Sequence, residues 1–118
     1  MKKLYFIFIL LLLFLSGDNV LLAYKCLGIY KISHYDSCMK CCNKIDGITY
    51  SGKKASSGTI AVDKKKIKLG SVIKIDNKLY RAEDIGGAIK GNRIDIWCKT
   101  HQEALNKGIY YTKVYLVE

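Results

Sequence analysis

Gly58-Thr-Ile-Ala-Val-Asp63, Tyr80-Arg-Ala-Glu-Asp84 and Arg93-Ile-Asp95-Ile-Trp97 are three short, largely apolar segments, each carrying an aspartate in or beside a strand-like run. Between the last two lies a glycine-rich turn, Ile85-Gly-Gly-Ala-Ile-Lys-Gly91. Carboxylates at strand ends, next to glycines that allow close backbone approach, are the parts of a polar groove. Asp63 before Lys64 and Asp84 before Gly86-Gly87 also occupy places where turns favour aspartate. Asp95 has no such excuse, because strand interiors are depleted in aspartate.

Working outward, the pattern is that of short strands. Leu27–Tyr35 alternates apolar and polar residues and reads as a first strand, with His34 a half-exposed strand residue. Asn43–Ser57 has no periodicity and reads as loop or short hairpin. Thr59–Val62 is β-branched and ends at Asp63, Ile67–Gly70 is a connector, and Ser71–Ile75 is a strand. Asp76-Asn77-Lys78 is turn chemistry, so Leu79–Glu83 is expected to pair back antiparallel. In Arg93–Cys98 the residues Ile94, Ile96 and Cys98 share one face, and Arg93, Asp95 and Trp97 the other. Thr100-His-Gln-Glu103 predicts a capping box and a short helix to about Lys107, closed by Gly108. Tyr111–Val117 supplies the last strand. Six or so short strands and one small helix predict a mainly β, compact barrel.

The N-terminus predicts export. Lys2-Lys3 precede an unbroken apolar run from Leu4 to Leu15, the layout of a secretory signal, and Asp18 interrupts the count a spanning helix needs. Residues 1–23 are thus read as signal peptide or membrane anchor, 24–57 as a first strand with a cysteine-rich lead-in, and 58–118 as the aspartate-bearing core. Beyond residue 23 there are 18 basic against 9 acidic residues, a field that concentrates polyanions. Lys64-Lys65-Lys66 reads as a solvated turn. Export and the lack of a basic–aromatic stripe argue against a nucleic-acid partner. Cys26, Cys38, Cys41, Cys42 and Cys98 leave disulfides, a metal site built on the Cys38-x-x-Cys41-Cys42 spacing, and free thiols all open.

At these residues the chain resembles the three-aspartate (3D) domain family of bacterial cell-wall proteins, to which the catalytic domain of membrane-bound lytic transglycosylase A is related. Gly58-Thr-Ile-Ala-Val-Asp63, Leu69-Gly-Ser, Ala82-Glu-Asp84-Ile-Gly-Gly-Ala-Ile-Lys-Gly-Asn-Arg-Ile-Asp95-Ile, Glu103-Ala and Val114-Tyr-Leu carry the likeness, which spans about Gly47 to Val117. The resemblance implies a small double-psi β-barrel, an extracellular or cell-wall location, and cleavage of the β-1,4 MurNAc-GlcNAc bond in peptidoglycan glycan strands. It implies Asp95 as catalytic acid/base, with Asp84 and Asp63 as supporting carboxylates. Lys90, Arg93, Gly86, Gly87, Thr49 and Trp97 are the expected substrate-binding positions, and Tyr50 or the Tyr110-Tyr111 pair are further candidates for stacking on sugars. One departure stands out: the position after Asp84 is often threonine in the family and is Ile85 here.

The chemistry is consistent with one working carboxyl. Ordinary glycosidases use two, one as acid and one to supply water or attack. In lytic transglycosylation the muramic acid's own 6-hydroxyl attacks its anomeric carbon and gives a 1,6-anhydro product. One carboxyl then serves as acid and afterwards as base, and no cofactor or metal is called for. Crowding of carboxylates is expected to raise at least one pKa. Two other readings stay open. The domain could hold wall glycan or anionic wall polymer without cutting it, or the carboxylates could gather a hard divalent cation. Contact with a membrane is expected only through the N-terminal segment.

Overall fold

A computed structural model describes residues 22–37 and 47–118. Residues 1–21 of the expected signal segment, and Cys38, Cys41 and Cys42, lie outside the described residues. Six strands, β1 (Tyr24–Tyr35), β2 (Thr59–Val62), β3 (Val72–Ile75), β4 (Lys78–Asp84), β5 (Arg93–Trp97) and β6 (Tyr110–Val117), and one helix, α1 (His101–Lys107), make up the domain. The strands close into a ring in the order β1-β5-β2-β4-β3-β6, with β6 returning to β1.

The order is not that of a meander. β1 and β2 follow each other in the chain, yet β5 lies between them, parallel to β1 and antiparallel to β2. Likewise β4 and β5 are consecutive and hold β2 between them, parallel to β4. Each pair thus encloses a strand of the other, and β2 is buried at all four positions. The two loops interlock on Thr59–Val62, the segment with the most uniformly apolar and β-branched sequence.

Alternation sets the inside of the ring. Tyr30 and Ile32 of β1, Ile60 and Val62 of β2, Ile73 and Ile75 of β3, Ile94 and Ile96 of β5, and Val114 of β6 form one core, most of them fully buried. The two-residue faces expected for Arg93–Cys98 are thus observed. The β3–β4 hairpin also forms as expected. Asp76 and Asn77 both take positive φ, 48° and 67°, between the paired Ile75 and Lys78, as a type I′ turn demands. At the helix only half of the capping box is made. Thr100 accepts from the Glu103 N–H at 3.1 Å, but the Glu103 carboxylate pairs with Lys107 at 3.1 Å. An i,i+4 ion pair one turn away competes for the group that would have closed the box.

Of the five cysteines, Cys26 is a free, exposed thiol and Cys98 a free, buried one. Burial pushes the Cys98 thiol pKa up, so it packs as a small apolar residue. The half-exposed His34 keeps its strand role, its Nδ1 at 2.8 Å from the Gly108 carbonyl. Among the described residues no helix is long and apolar enough to cross a membrane.

Candidate active site

The outer face of the ring brings four residues into one row. Ser33 is opposite Asp95 across β1 and β5, Asp95 opposite Ala61 across β5 and β2, and Ala61 opposite Asp84 across β2 and β4. Residues directly opposite one another project to the same face, about 5 Å from strand to strand. Ala61 is therefore the floor between two carboxylates, and it is itself buried. A register shift between Ile60 and Ala61 in the β2–β4 pairing places Asp84 in the row. Without that bulge Glu83 would stand there, and instead its carboxylate accepts the Thr59 hydroxyl.

Asp95 is half-buried and accepts the Ser33 hydroxyl at 2.9 Å. Burial holds its carboxyl above the usual carboxylate range. The Ser33 hydrogen bond and the Arg93 charge oppose this, and the Asp84 charge adds to it. Crowding by a second carboxylate acts in the expected direction but is the lesser cause, and desolvation the larger.

Asp84 is held by three donors: the Tyr35 hydroxyl on Oδ2 at 3.0 Å, and the backbone N–H groups of Tyr50 and Ile85 on Oδ1 at 2.9 and 3.0 Å. The bond from Ile85 comes from its backbone, so this partner of Asp84 does not depend on a side-chain hydroxyl there. Tyr50 tops the turn that reaches Asp84. Tyr50 is 57% exposed, and Lys64 Nζ sits 5.1 Å from its ring centroid. Thr49, beside it, is buried, and its hydroxyl donates to the Lys53 carbonyl at 2.7 Å. Thr49 thus builds the turn that presents the Tyr50 N–H.

Asp63 stands apart from this pair in its bonding. Its two oxygens accept the backbone N–H groups of Gly91 at 2.9 Å and Lys65 at 3.0 Å. Those two bonds, chiefly the one from Gly91, hold its carboxyl below the usual range. It ties down the far end of the glycine-rich loop, and the nearby Lys90 charge acts on Asp63 in the same sense. Arg93 holds that loop from the other side, its Nη1 donating to the Ala88 carbonyl at 3.2 Å. Arg93 Nε is buried with no hydrogen-bond partner among the described residues. Gly86 is required by contact, since a Cβ there would come within 2.8 Å of Ile89 Cγ1, whereas Gly87 faces open space. Trp97 is half-buried, and its Nε1 donates to Ser37 Oγ at 2.8 Å.

Gly91 takes φ +66° with nothing near a would-be Cβ. Gly91→Ala should therefore cost only backbone strain, about 1–2 kcal/mol, read as a lower urea midpoint. Gly87→Ala should stay within about 0.5 kcal/mol. Equal midpoints for the two variants would contradict this account of the loop.

Sequence reasoning missed Ser33, Tyr35, the floor residue Ala61 and the buried acid Glu83. Glu83 accepts the Thr59 hydroxyl at 2.7 Å and lies 3.5 Å from Arg81 Nε. Period-two alternation in β1 does put Ser33 and Tyr35 on one face. Nothing local says that this face meets Asp95, 62 positions along the chain. Among the described residues no three His, Cys, Asp or Glu side chains gather as a metal site.

The 3D domain family model matches residues 58–118, and the chain belongs to that family. It is 39% identical over 70 residues to the cell wall-binding protein YocH of Bacillus subtilis, covering 55% of this chain and 24% of YocH. The crystal structure of MltA from Escherichia coli, described as a lytic transglycosylase fold, superposes with a TM-score of 0.51 at 25% identity, covering 59% of this chain and 27% of MltA. A variant of the same enzyme in an apo form gives 0.51 at 24%, covering 59% and 26%. The chain thus spans about a quarter of the length of these relatives.

Proposed function

We propose that this protein acts on the bacterial cell wall, cleaving the β-1,4 MurNAc-GlcNAc bond of peptidoglycan by lytic transglycosylation with Asp95 as acid/base. The observation that carries this is the pairing of two unlike carboxyls across Ala61. One is raised by burial and held by Ser33; the other is fixed by three donors. A carboxyl shifted upward retains the proton that the glycosidic oxygen needs. Once ionised it takes the proton of the attacking 6-hydroxyl, which returns Asp95 to its starting state. Asp84 discourages early ionisation of Asp95 and offers the sugar an oriented acceptor. Asp63, Gly86, Gly91 and Arg93 act at one remove, by fixing the loop beside Asp95. Lys90, Gly87 and Thr49 frame the groove, whereas Trp97, the remaining expected position, lines a cleft that none of the three aspartates lines.

The ring is read as a small double-psi β-barrel, in which β1/β2 and β4/β5 are the two interlocked loops. Residues 1–23 are assigned to export, 24–57 to the first strand and lead-in, and 58–118 to the core, which places the protein outside the cell or in the wall. The name of the MltA fold supports cleavage. The name of YocH supports a second reading, a module that holds wall glycan or anionic polymer without cutting it. Digestion of purified sacculi with the full chain, followed by mass spectrometry of the soluble fragments, separates the two. Release of 1,6-anhydromuropeptides is the expected result. Retention on sacculi without any release would leave only the binding module.

A further inference from the structure

An open cleft of about 810 Å³ lies away from the two carboxyls, lined by the start of β4, the end of β5 and α1. A second hollow of about 260 Å³ shares Lys78, Tyr80, Ile96 and Lys107 with it, so the two adjoin. None of Asp63, Asp84 and Asp95 lines either one.

The charges in this cleft are unevenly committed. Arg81 donates to Ser56 Oγ and the Ser57 carbonyl, both at 3.1 Å, and faces Glu83. Lys107 is paired with Glu103. Asp76, the acid of the adjoining hollow, accepts the hydroxyls of Tyr110 and Thr112 at 2.9 and 3.3 Å. Every acid lining the two hollows is therefore already bonded. Lys78 and Lys99 have no side-chain hydrogen-bond or ion-pair partner among the described residues, although both line the cleft and both are exposed. Tyr80 and Trp97 supply aromatic surface in the same cleft.

Two free point charges beside two aromatic residues, in a volume that suits an extended ligand, fit a chain of repeated anions joined by polyol or sugar units. We propose that this cleft is a binding site for an anionic polymer of that chemistry, distinct from the carboxyl row and independent of whether Asp95 cleaves. Lys78 and Lys99 meet the anions, and Tyr80 and Trp97 cover the carbon units between them. The excess of 18 basic over 9 acidic residues beyond residue 23 draws such a polymer in, and the cleft seats it.

Trp97 is the sole tryptophan, so its fluorescence reports on the cleft itself. The full chain is titrated with polyglycerol phosphate, and in a parallel arm with polygalacturonate, at low and high salt. A saturable, salt-weakened fluorescence change is expected, and the stronger arm identifies the anion as phosphodiester or uronate. The Lys78→Gln/Lys99→Gln double variant should weaken binding by about tenfold, which is about 1.4 kcal/mol. Lys66→Gln/Lys113→Gln removes the same net charge from positions that line neither hollow, and should leave binding within about twofold. No saturable change with either polymer, or equal weakening in both double variants, would overturn the proposal. Asp95→Asn should bind both polymers as the natural chain does, so failure of the cleavage reading and failure of this one are read separately.

Discussion

Asp95→Asn should lower the release of 1,6-anhydromuropeptides from sacculi by about 10²–10⁴-fold, the usual contribution of a positioned general acid and base. The amide keeps the shape of the carboxyl and can still accept the Ser33 hydroxyl, so the groove should remain formed. It can neither deliver a proton to the glycosidic oxygen nor take one from the 6-hydroxyl. Because one group serves both half-steps, the loss should appear in kcat with little change in the amount of protein retained on sacculi. Undiminished release by this variant would place the reaction elsewhere.

The same substitution separates a catalytic carboxyl from a structural one through stability. The Asp95 pKa is raised in the folded state, so its protonated form is favoured there. Its favourable contribution is complete below the unfolded-state pKa and is lost as pH rises through the folded value. At neutral pH Asp95→Asn should therefore melt higher than the natural chain, with the gap closing in acid. Asp63 has the opposite sign. Its pKa is lowered by the Gly91 and Lys65 N–H groups, so its contribution is present above the unfolded-state pKa and is lost as pH falls through the folded one. Asp63→Asn should melt lower at neutral pH. Thermal scans of the two variants from pH 3 to pH 8 check this, and shifts of one sign in both would refute the division of labour.

The strands were legible because each is short, apolar and bounded by turn chemistry. Thr59–Val62 and the Asp76-Asn77 hairpin are local facts, and local facts survive translation into structure. The order of the ring is less accessible. That β5 lies between β1 and β2 depends on contacts between segments some 60 positions apart. For that reason Ser33 was invisible beside Asp95, and Ala61 between two aspartates passed as one more apolar residue. Family resemblance grouped the three aspartates, but their environments differ. Asp63 spends both oxygens on backbone amides, whereas Asp95 is shifted mainly by desolvation, a property of burial that no count of nearby carboxyls reveals. Glu83 was hidden by the bulge after Ile60, since a regular strand would have put it where Asp84 now stands.

The largest loss of stability is expected at Ile60. This side chain is fully buried in β2, the strand enclosed by both interlocked pairs, and is opposite Ala82 on one side and Ile96 on the other. Ile60→Ala removes three carbons from a site hemmed in by strands on both sides, so the cavity cannot collapse easily. The cost should be about 2–5 kcal/mol, a large share of the roughly 5–15 kcal/mol that holds a domain of this size. Ile60→Val, which removes one carbon, should cost about 0.5–1.5 kcal/mol. Urea unfolding measures both, with the midpoint expected to fall and the slope to stay unchanged. The residue after Ile60 is the floor between Asp95 and Asp84, yet it faces the other side of the sheet. Below its melting temperature Ile60→Ala should thus keep its specific activity per folded molecule, whereas Ala61→Leu, which adds bulk at the buried floor between the carboxyls, should lose activity in the fraction that stays folded. Loss of specific activity in fully folded Ile60→Ala would mean that the core and the carboxyl row are coupled through β2, and that the two faces of this strand are not independent.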